Sequence, residues 1–347
     1  MKKVTVGVLG CGSITQLRHG PEYAAREDVE IAGFYDPDFE RAAATVEKFG
    51  GRVYSSPEEM LHDPAIDAVS ICTPNTTHGE YTIQALTGGK HTLCEKPMAQ
   101  SLEESRAMLK AQKDSGKILM PGHNQRLVAS HRKAKELLEK GAIGRLLFFQ
   151  CNFKHSGPEN WSVTKNNSTW FFDKSKAKFG VFGDLGAHKI DLIRFLTGQE
   201  IESVFAETMT LDKKYPDGNL ISLEDNVVCL FQMNRGLPGI MHFSWTNYGQ
   251  EDNSSVIYGD EGVMKIFGDY ADDIVLEMRD HTTVKYKVGA ISTNENQLRS
   301  GVIDEFIDAI QEGRTPIVTG IDGHNTLAVI EAGMRSAEKQ QWVKVTY

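Results

Sequence analysis

The chain has 347 residues, of which 40% are hydrophobic and 24% charged, and its formal net charge is −9. This length is too great for one ordinary hydrophobic core, so we expect a globular protein of two domains. The acidic charge, without any block rich in lysine and arginine, argues against a nucleic-acid partner or an anionic membrane surface. Apolar runs stay well short of the roughly 20 residues that cross a bilayer.

The N-terminus and the cysteines favour a cytoplasmic location. Met1-Lys2-Lys3 and the apolar residues 4–9 begin like a signal peptide, but Gly10 and Gly12 interrupt the run and no cleavage site follows. The five cysteines are an odd number without a CxxC motif, which indicates free thiols in a reducing compartment.

Short apolar runs alternate with amphipathic segments in the first third of the chain. We predict strands at residues 4–9, 31–35, 67–72, 92–94 and 118–120, and helices at residues 39–49, 77–86 and 102–113. Another helix should begin at Pro57 after a serine cap. This alternation predicts an α/β domain with a doubly wound parallel sheet of the Rossmann type, which we assign to residues 1–123.

After residue 123 the pattern changes to longer alternating runs. We predict strands at residues 146–154, 201–209, 226–233, 239–246, 254–258, 263–267, 274–278 and 283–287. Helices are expected at residues 130–140, 184–196, 301–312 and 323–339. Residues 124–347 are therefore predicted to form an α+β domain with an open, mostly antiparallel sheet.

A pair of glycines follows the first predicted strand directly and opens a helix, in the run Gly10-Cys11-Gly12-Ser13-Ile14. Gly10 permits a tight turn, and Gly12 lets the backbone approach a pyrophosphate at the helix N-terminus. Thr15 replaces the third glycine of the usual fingerprint, which should loosen the packing of helix on strand. An isolated GxG also occurs in ordinary turns, but this position favours dinucleotide binding.

An acidic residue, Asp36, ends the second predicted strand. A carboxylate there accepts hydrogen bonds from the ribose hydroxyls of NAD and repels the additional phosphate of NADP, so NAD is the favoured cofactor and NADP the less favoured one. Arg41 could bind that phosphate, but we interpret it as a solvated helix residue. A helix N-terminus could lower the pKa of the Cys11 thiol; we interpret Cys11 as a small filler beside the pyrophosphate, because nothing basic adjoins it.

Two segments at strand ends carry a family resemblance, Cys72-Thr73-Pro74-Asn75-Thr76-Thr77-His78 and Cys94-Glu95-Lys96-Pro97. They resemble the Gfo/Idh/MocA oxidoreductases, which include glucose-fructose oxidoreductase and inositol 2-dehydrogenase, and the resemblance covers nearly the whole chain. It implies that both segments line the nicotinamide pocket, with cofactor contacts from Thr73, Pro74, Asn75, Glu95, Lys96 and Asn124. His78 is either a helix cap or a further cofactor contact. The resemblance also implies a helix broken near Pro21 and an unusual, cis, Lys96–Pro97 peptide bond.

Lys96 is the first candidate catalytic residue. A lysine at this edge of the sheet can donate a hydrogen bond to the substrate oxygen and stabilise developing alkoxide charge. The alternative interpretation is that Lys96 is an ordinary surface lysine in a loop, as most lysines are. The family resemblance implies that Lys96 is catalytic.

Asp184 and His188 are four residues apart, which places both on one face of a predicted helix. Histidine is a natural proton acceptor near neutral pH, although this spacing also suits a capping aspartate and a core histidine. The segment is similar to the family's catalytic segment, which implies that His188 is the general acid/base and that Asp184 supports it. We expect no metal at Asp184, His188 and Asp191, because no cysteine or second histidine lies nearby.

Candidate substrate contacts are Lys96, Arg126, Trp170, Asp184 and His188. Trp170 could pack on the C–H surface of a sugar or anchor a loop, and Arg126 could contact substrate or join the domains. Phe179 stands where relatives have small residues and could narrow the pocket. Glu224-Asp225-Asn226 and Ser244-Trp245 are also typical of relatives, and we interpret them as structural.

The resemblance implies an NAD(P)-dependent dehydrogenase that transfers a hydride between nicotinamide and a secondary alcohol of a sugar, a sugar derivative or a cyclic polyol. Two alternatives stay open: a redox-neutral enzyme that retains NAD while it cleaves or epimerises a glycoside, and a non-catalytic NAD-binding regulator. The presence of Lys96, Asp184 and His188 argues against the regulator. A homo-oligomer, dimer or tetramer, is expected from the family's use of the open sheet face.

Overall fold

A computed structural model describes residues 3–163, 165–268, 271–289 and 300–347. Its first sheet has six strands, β1 (Val4–Leu9), β2 (Val29–Tyr35), β3 (Arg52–Val53), β4 (Ala68–Ile71), β5 (His91–Cys94) and β6 (Leu119–Pro121). They pair in parallel in the order β3-β2-β1-β4-β5-β6. The predicted doubly wound sheet is confirmed, and its strand order reverses between β1 and β4, where such sheets bind ligands. The two-residue strand β3 is too short for its pattern to predict.

Five helices connect these strands, α1 (Gly20–Ala24), α2 (Phe39–Phe49), α3 (Pro57–His62), α4 (His78–Thr87) and α5 (Leu102–Ser115). Ser56 caps α3 by accepting a hydrogen bond from the backbone N–H of Glu59, as predicted. The expected helix break near Pro21 is wrong. Thr15–His19 forms a π turn that runs into α1, and Pro21 lies in the first turn of α1, where its missing N–H is tolerated.

The second sheet has nine strands, β7 (Leu146–Lys154), β8 (Ile201–Met209), β9 (Asn226–Met233), β10 (Pro238–Ser244), β11 (Ser255–Gly259), β12 (Gly262–Ile266), β13 (Ile274–Met278), β14 (Thr283–Tyr286) and β15 (Val343–Lys344). Their order is β14-β13-β12-β11-β7-β10-β9-β8-β15. β7 and β10 pair in parallel, and the other neighbours pair antiparallel. The predicted open, mostly antiparallel sheet is confirmed.

Four further helices accompany this sheet, α6 (Ala129–Glu139), α7 (Ala187–Thr197), α8 (Val302–Glu312) and α9 (Gly320–Lys339). The apolar side chains of α8 belong to the core of the first sheet, where Phe306 is buried in one cluster with Val6 and Val8. The C-terminal part of the chain therefore returns to the first sheet. The division of the chain at residue 123 stays a prediction.

The ring of Phe182, which lies five residues before α7, is completely buried and anchors the start of this helix. A Cβ added at Gly333 of α9 would lie 2.3 Å from the Phe182 ring, and one added at Gly186 would lie 2.6 Å from it. Only glycine allows both backbones to come so close to the ring. The Phe182 side chain thereby fixes the position of the segment that carries Asp184 and His188.

Within the described ranges, none of the helices combines the length and the apolar composition that a membrane crossing requires. The thiols of all five cysteines are free and buried.

Candidate active site

A cleft of about 480 Å³ runs along the carboxyl ends of β1, β4 and β5 and faces α7 and the segment after β7. That volume lies within the range of small-molecule sites. Most of the predicted site residues line it: Gly10, Gly12, Ser13, Ile14, Asp36, Thr73, Pro74, Asn75, His78, Glu95, Lys96, Asn124, Trp170, Asp184 and His188. Cys11 and Arg126 are not part of its lining.

The glycine turn is built for close approach of its backbone to β4. Gly10 has φ +92°, and a Cβ there would lie 2.5 Å from the carbonyl oxygen of Cys72. Gly12 has open space on its Cβ side. Thr15 donates a hydrogen bond from Oγ1 to the Gly10 carbonyl oxygen at 2.6 Å. The expectation that Thr15 loosens the packing is therefore wrong, because its hydroxyl ties the helix to the turn.

Asp36 organises the turn that would receive the ribose. Its Oδ2 accepts the backbone N–H of Cys11 at 2.8 Å, and its Oδ1 accepts the backbone N–H of Asp38 at 2.9 Å. Arg41 donates from Nη1 to Oδ1 of Asp36 at 3.2 Å and from Nη2 to Asp38 at 2.9 Å. Arg41 is thus paired with carboxylates rather than simply solvated.

Cys11 lies behind this turn and is fully buried. Burial raises the pKa of its thiol to about 12. This favours the interpretation of Cys11 as a filler, because a neutral thiol is a poor nucleophile.

His78 joins the two segments that carry the family resemblance. Its Nδ1 lies 2.9 Å from the carbonyl oxygen of Pro97, and its Nε2 lies 2.9 Å from that of Thr73. Burial lowers the pKa of His78, so its ring is neutral and donates to one of these two oxygens. The Lys96–Pro97 peptide bond is cis, as predicted.

Glu95 lies at the floor of the cleft with two basic partners that the sequence did not reveal. Its Oε1 accepts from Nε2 of His19 at 2.9 Å and from Nη1 of Arg18 at 3.1 Å. Burial alone would raise the pKa of Glu95, but the His19 hydrogen bond and the Arg18 charge outweigh it and lower the pKa to about 2. The residue beside Lys96 is therefore a firmly ionised carboxylate.

Lys96 and Asp184 meet in the centre of the cleft. Lys96 Nζ donates to Oδ1 of Asp184 at 2.6 Å and to its carbonyl oxygen at 3.2 Å. Oδ2 of Asp184 accepts from Nε1 of Trp245 at 3.1 Å. These contacts give Asp184 the partners Lys96 and Trp245, and its expected support of His188 stays a prediction. Phe182–Gly186 winds as a π turn, so a spacing of four no longer places two side chains above one another.

His188 opens into the same cleft next to Phe153, whose ring centroid lies 5.6 Å from its own. Its Nδ1 is buried and contacts no hydrogen-bonding atom of the described residues. Burial, with the positive charges of Lys96 and Arg18 nearby, holds the pKa of His188 well below its usual value. The imidazole is neutral at physiological pH and is able to accept a proton.

An aromatic wall forms the side of the cleft that faces His188. The rings of Trp170 and Phe171 stack at 3.9 Å, and Trp161 packs edge-on against Phe171 at 5.1 Å. His155, which the sequence reasoning missed, follows β7 directly and lies 6.3 Å from the Trp161 ring. Such a wall is suited to the C–H face of a ring-shaped ligand. Phe179 also lines the cleft, as predicted from its bulk.

The segment after β7 reaches the glycine turn as well. Ser13 donates a hydrogen bond from Oγ to the carbonyl oxygen of Trp161 at 3.3 Å. The segment after β7 therefore contacts the glycine turn and also contributes to the aromatic wall.

Arg126 has a different role from the predicted substrate contact. Its guanidinium donates to both carboxylate oxygens of Asp191 at 2.7 Å and to Asp322 at 2.8 Å. Asp191 is completely buried on α7, and Asp322 lies in the first turn of α9. Arg126 therefore joins the end of the first sheet to α7 and α9, because a buried guanidinium needs such carboxylates.

The described part of the chain brings no three His, Cys, Asp or Glu side chains together in a way that suits a metal ion.

Comparison with known proteins places this architecture in a family. Residues 4–123 match a model described as an oxidoreductase family with an NAD-binding Rossmann fold, and residues 131–265 match the Gfo/Idh/MocA C-terminal domain. The chain is 26% identical to myo-inositol 2-dehydrogenase of Thermotoga maritima over 345 residues, which cover 98% of both chains. It is 28% identical to levoglucosan dehydrogenase of Pseudarthrobacter phenanthrenivorans over an alignment of 393 positions, which covers 99% of both.

A solved structure of levoglucosan dehydrogenase in complex with NADH and levoglucosan superposes on the whole chain with a TM-score of 0.87 at 27% identity, and all of that chain is covered. The agreement extends across both sheets, and the two family models together cover well over half of the sequence. The protein therefore belongs to the Gfo/Idh/MocA family of oxidoreductases.

Proposed function

We propose that the protein is an NAD-dependent dehydrogenase that oxidises a secondary alcohol of a sugar, a sugar derivative or a cyclic polyol. The observation that carries this proposal is the Lys96–Asp184 pair at 2.6 Å, beside the neutral imidazole of His188, in a cleft that also contains the glycine turn. The similar proteins named above act on an inositol and on levoglucosan, which supports the substrate class.

The residues of the cleft fit a dinucleotide. Gly12 leaves space for a pyrophosphate, and the carboxylate of Asp36 stands where ribose hydroxyls would donate. Oδ1 of Asn124 is buried at the cleft with no hydrogen-bond partner in the described chain, so it is ready to accept a donor from a ligand. Bound NAD would supply the hydride acceptor.

Side chains of the protein then accept the hydroxyl proton and stabilise the substrate oxygen. The Lys96 ammonium donates a hydrogen bond to the substrate oxygen and stabilises its developing negative charge. Nε2 of His188 accepts the hydroxyl proton, which its neutral state permits. Asp184 holds the Lys96 side chain in position toward the oxygen. The aromatic wall holds the ring of the substrate against this group of residues.

The first experiment is to incubate the protein with excess NAD and a panel of inositols, aldoses, amino sugars, anhydrosugars and sugar acids while nicotinamide absorbance is followed. Formation of NADH with one compound supports the dehydrogenase and identifies its substrate. Bound NAD that stays unchanged while a glycoside is cleaved or epimerised would favour the redox-neutral alternative. Tight NAD binding without any turnover would favour the regulator.

Substitution of His188 by alanine should lower kcat by roughly 10²–10⁴, because general acid–base catalysis contributes about that much. The matched control is His62→Ala, since His62 lies on the exposed surface of α3. Near-normal turnover by His188→Ala would remove it from the proposed mechanism.

NAD is the proposed cofactor because Asp36 places negative charge at the ribose position. Asp36→Ser should raise kcat/KM for NADP relative to NAD by roughly tenfold or more, since it removes this repulsion without adding a new cation. Asp38→Ser is the control, because serine still caps α2 and Asp38 is not part of the cleft lining. An unchanged preference in Asp36→Ser would contradict the assignment.

We also propose that the chain is a homo-oligomer, dimer or tetramer, in a reducing cytoplasmic compartment. Leu230 of β9 and Tyr258 of β11 leave about two fifths of their surface exposed on the nine-stranded open sheet. Light scattering coupled to size-exclusion chromatography measures the mass, and a monomeric mass would contradict the proposal.

A further inference from the structure

We propose that Trp245 is a positioning residue for the reaction proposed above. Its indole N–H holds one oxygen of the Asp184 carboxylate, so that the other oxygen fixes the Lys96 ammonium. Trp245 thereby has a role beyond the structural one that its sequence context predicted. The importance of Trp245 for turnover rests on the proposed function. The contacts from Trp245 through Asp184 to Lys96 are independent of that function.

The three groups form a continuous chain of polar contacts. Trp245 Nε1 donates to Oδ2 of Asp184 at 3.1 Å, and Lys96 Nζ donates to Oδ1 at 2.6 Å. The Asp184 side chain is 6% exposed and that of Lys96 is 15% exposed. Each carboxylate oxygen thus has its own donor, and both side chains are largely buried.

The indole itself is held rigidly. Trp245 is completely buried at the end of β10, and its backbone N–H donates to the carbonyl oxygen of Asp225 at 2.8 Å. Its ring packs against Phe172 at a centroid distance of 5.9 Å. Because the ring cannot turn, the direction of its N–H is fixed.

A carboxylate needs such a second contact. The terminal torsion of an aspartate is broad, so one contact with a flexible lysine does not fix the plane of the group. An N–H on the second oxygen defines that plane, and hydrogen bonds to ionised groups are the stronger kind. Trp245 does not line the cleft, so it acts through Asp184 and not on the substrate.

The test removes the N–H and measures Lys96 directly, without substrate or cofactor. In Trp245→Phe, we expect Lys96 to react roughly tenfold faster with an amine-selective acylating reagent, because a hydrogen bond to an ionised group is worth about that factor. Peptide mass spectrometry follows the modification of Lys96. The matched control is Phe231→Leu, which removes volume from a fully buried aromatic residue of β9 that has no contact with Asp184.

Two further variants keep the test decisive. Replacement of Trp245 by benzothienylalanine keeps the shape of the indole and exchanges its N–H for sulfur, so it serves even where Trp245→Phe folds poorly. In an Asp184→Asn background, Trp245→Phe should add no further increase in reactivity, because the two changes break one chain of contacts. An unchanged rate for Lys96 in the benzothienylalanine variant would overturn the proposal, as would equal increases in Trp245→Phe and Phe231→Leu.

Turnover provides the functional half of the test once a substrate is found. We expect kcat to fall roughly tenfold in Trp245→Phe while KM for NAD stays within about twofold, because the loss affects the group that acts on the oxygen. A change in KM for NAD with unaltered kcat would overturn the positioning role. If no substrate is turned over at all, the Lys96 reactivity still decides the inference, so its failure and that of the proposed function are distinguishable.

Discussion

Glu224 offers a quantitative prediction about the segment that carries the catalytic residues. Its Oε1 accepts the backbone N–H of Gly180 at 2.7 Å and that of Phe182 at 3.2 Å, immediately before the turn that contains Asp184. Glu224 is 6% exposed. Burial raises the pKa of its carboxyl group from 4.5 to about 7, although the two N–H groups oppose this shift.

The consequence for stability follows from the protons bound in each state. Between pH 4.5 and about 7 the folded protein keeps a proton on Glu224 that the unfolded chain has released. The free energy of unfolding therefore falls as the pH rises through this window. The difference between a pKa of 4.5 and one of about 7 corresponds to about 3 kcal/mol of stability. This stability is present in full below pH 4.5 and is lost above pH 7.

Glutamine at position 224 keeps an acceptor for the two backbone N–H groups but does not titrate. We therefore expect the stability of Glu224→Gln, relative to the unchanged protein, to rise by about 3 kcal/mol between pH 4.5 and pH 8. Contributions from other groups cancel in this difference. Urea unfolding followed by tryptophan fluorescence suits the measurement, because all four tryptophans lie beyond residue 123 and report on the side of the chain that contains Glu224.

An exposed glutamate serves as the control. Glu139→Gln, on the surface of α6, should show the same stability difference at both pH values. If the difference between Glu224→Gln and the unchanged protein is also independent of pH, the reasoning about this buried carboxyl group is wrong.

Two other substitutions test the packing around the site. Arg126→Met should lower the free energy of unfolding by about 3–5 kcal/mol, because the buried carboxylate of Asp191 loses its bidentate partner and keeps Arg194 at 3.7 Å. Adding Asp191→Asn should recover part of this loss in thermal or urea unfolding, and a larger loss in the double variant would contradict the pairing. Gly333→Ala should lower the free energy of unfolding by about 1–3 kcal/mol, because the new Cβ would lie 2.3 Å from the Phe182 ring. Phe182→Leu makes room for that Cβ, so the two changes together should cost less than their sum, and strict additivity would refute the steric account.

The cofactor side of the site was largely predictable from the sequence. Gly10, Asp36, Asn75 and Lys96 all follow strands of one parallel sheet, and the carboxyl ends of such strands meet at one edge. Their approximate positions therefore follow from the strand assignments alone. Periodicity also predicted both sheets, apart from the very short strands.

The contacts of the catalytic side were not predictable in this way. Asp184 is paired with Lys96, 88 residues before it, and with Trp245, 61 residues after it, and neither spacing carries a local pattern. The π turn also departs from the α-helical spacing on which a shared face for Asp184 and His188 was predicted. The sequence left two roles open for Arg126, because a buried charge has no sequence signature that separates a partner aspartate from a ligand.

The hydrogen bond between Ser13 and Trp161 has a consequence for the order of binding. The segment that contains Trp161 contacts the glycine turn at one end of the cleft and continues into the aromatic wall at the other. A dinucleotide on the glycine turn would contact the segment that carries this wall and favour packing of a sugar on it, so we expect the cofactor to bind first. Thermodynamic linkage makes this effect mutual: whatever factor the dinucleotide adds to the affinity for the sugar, the sugar must add to the affinity for the dinucleotide.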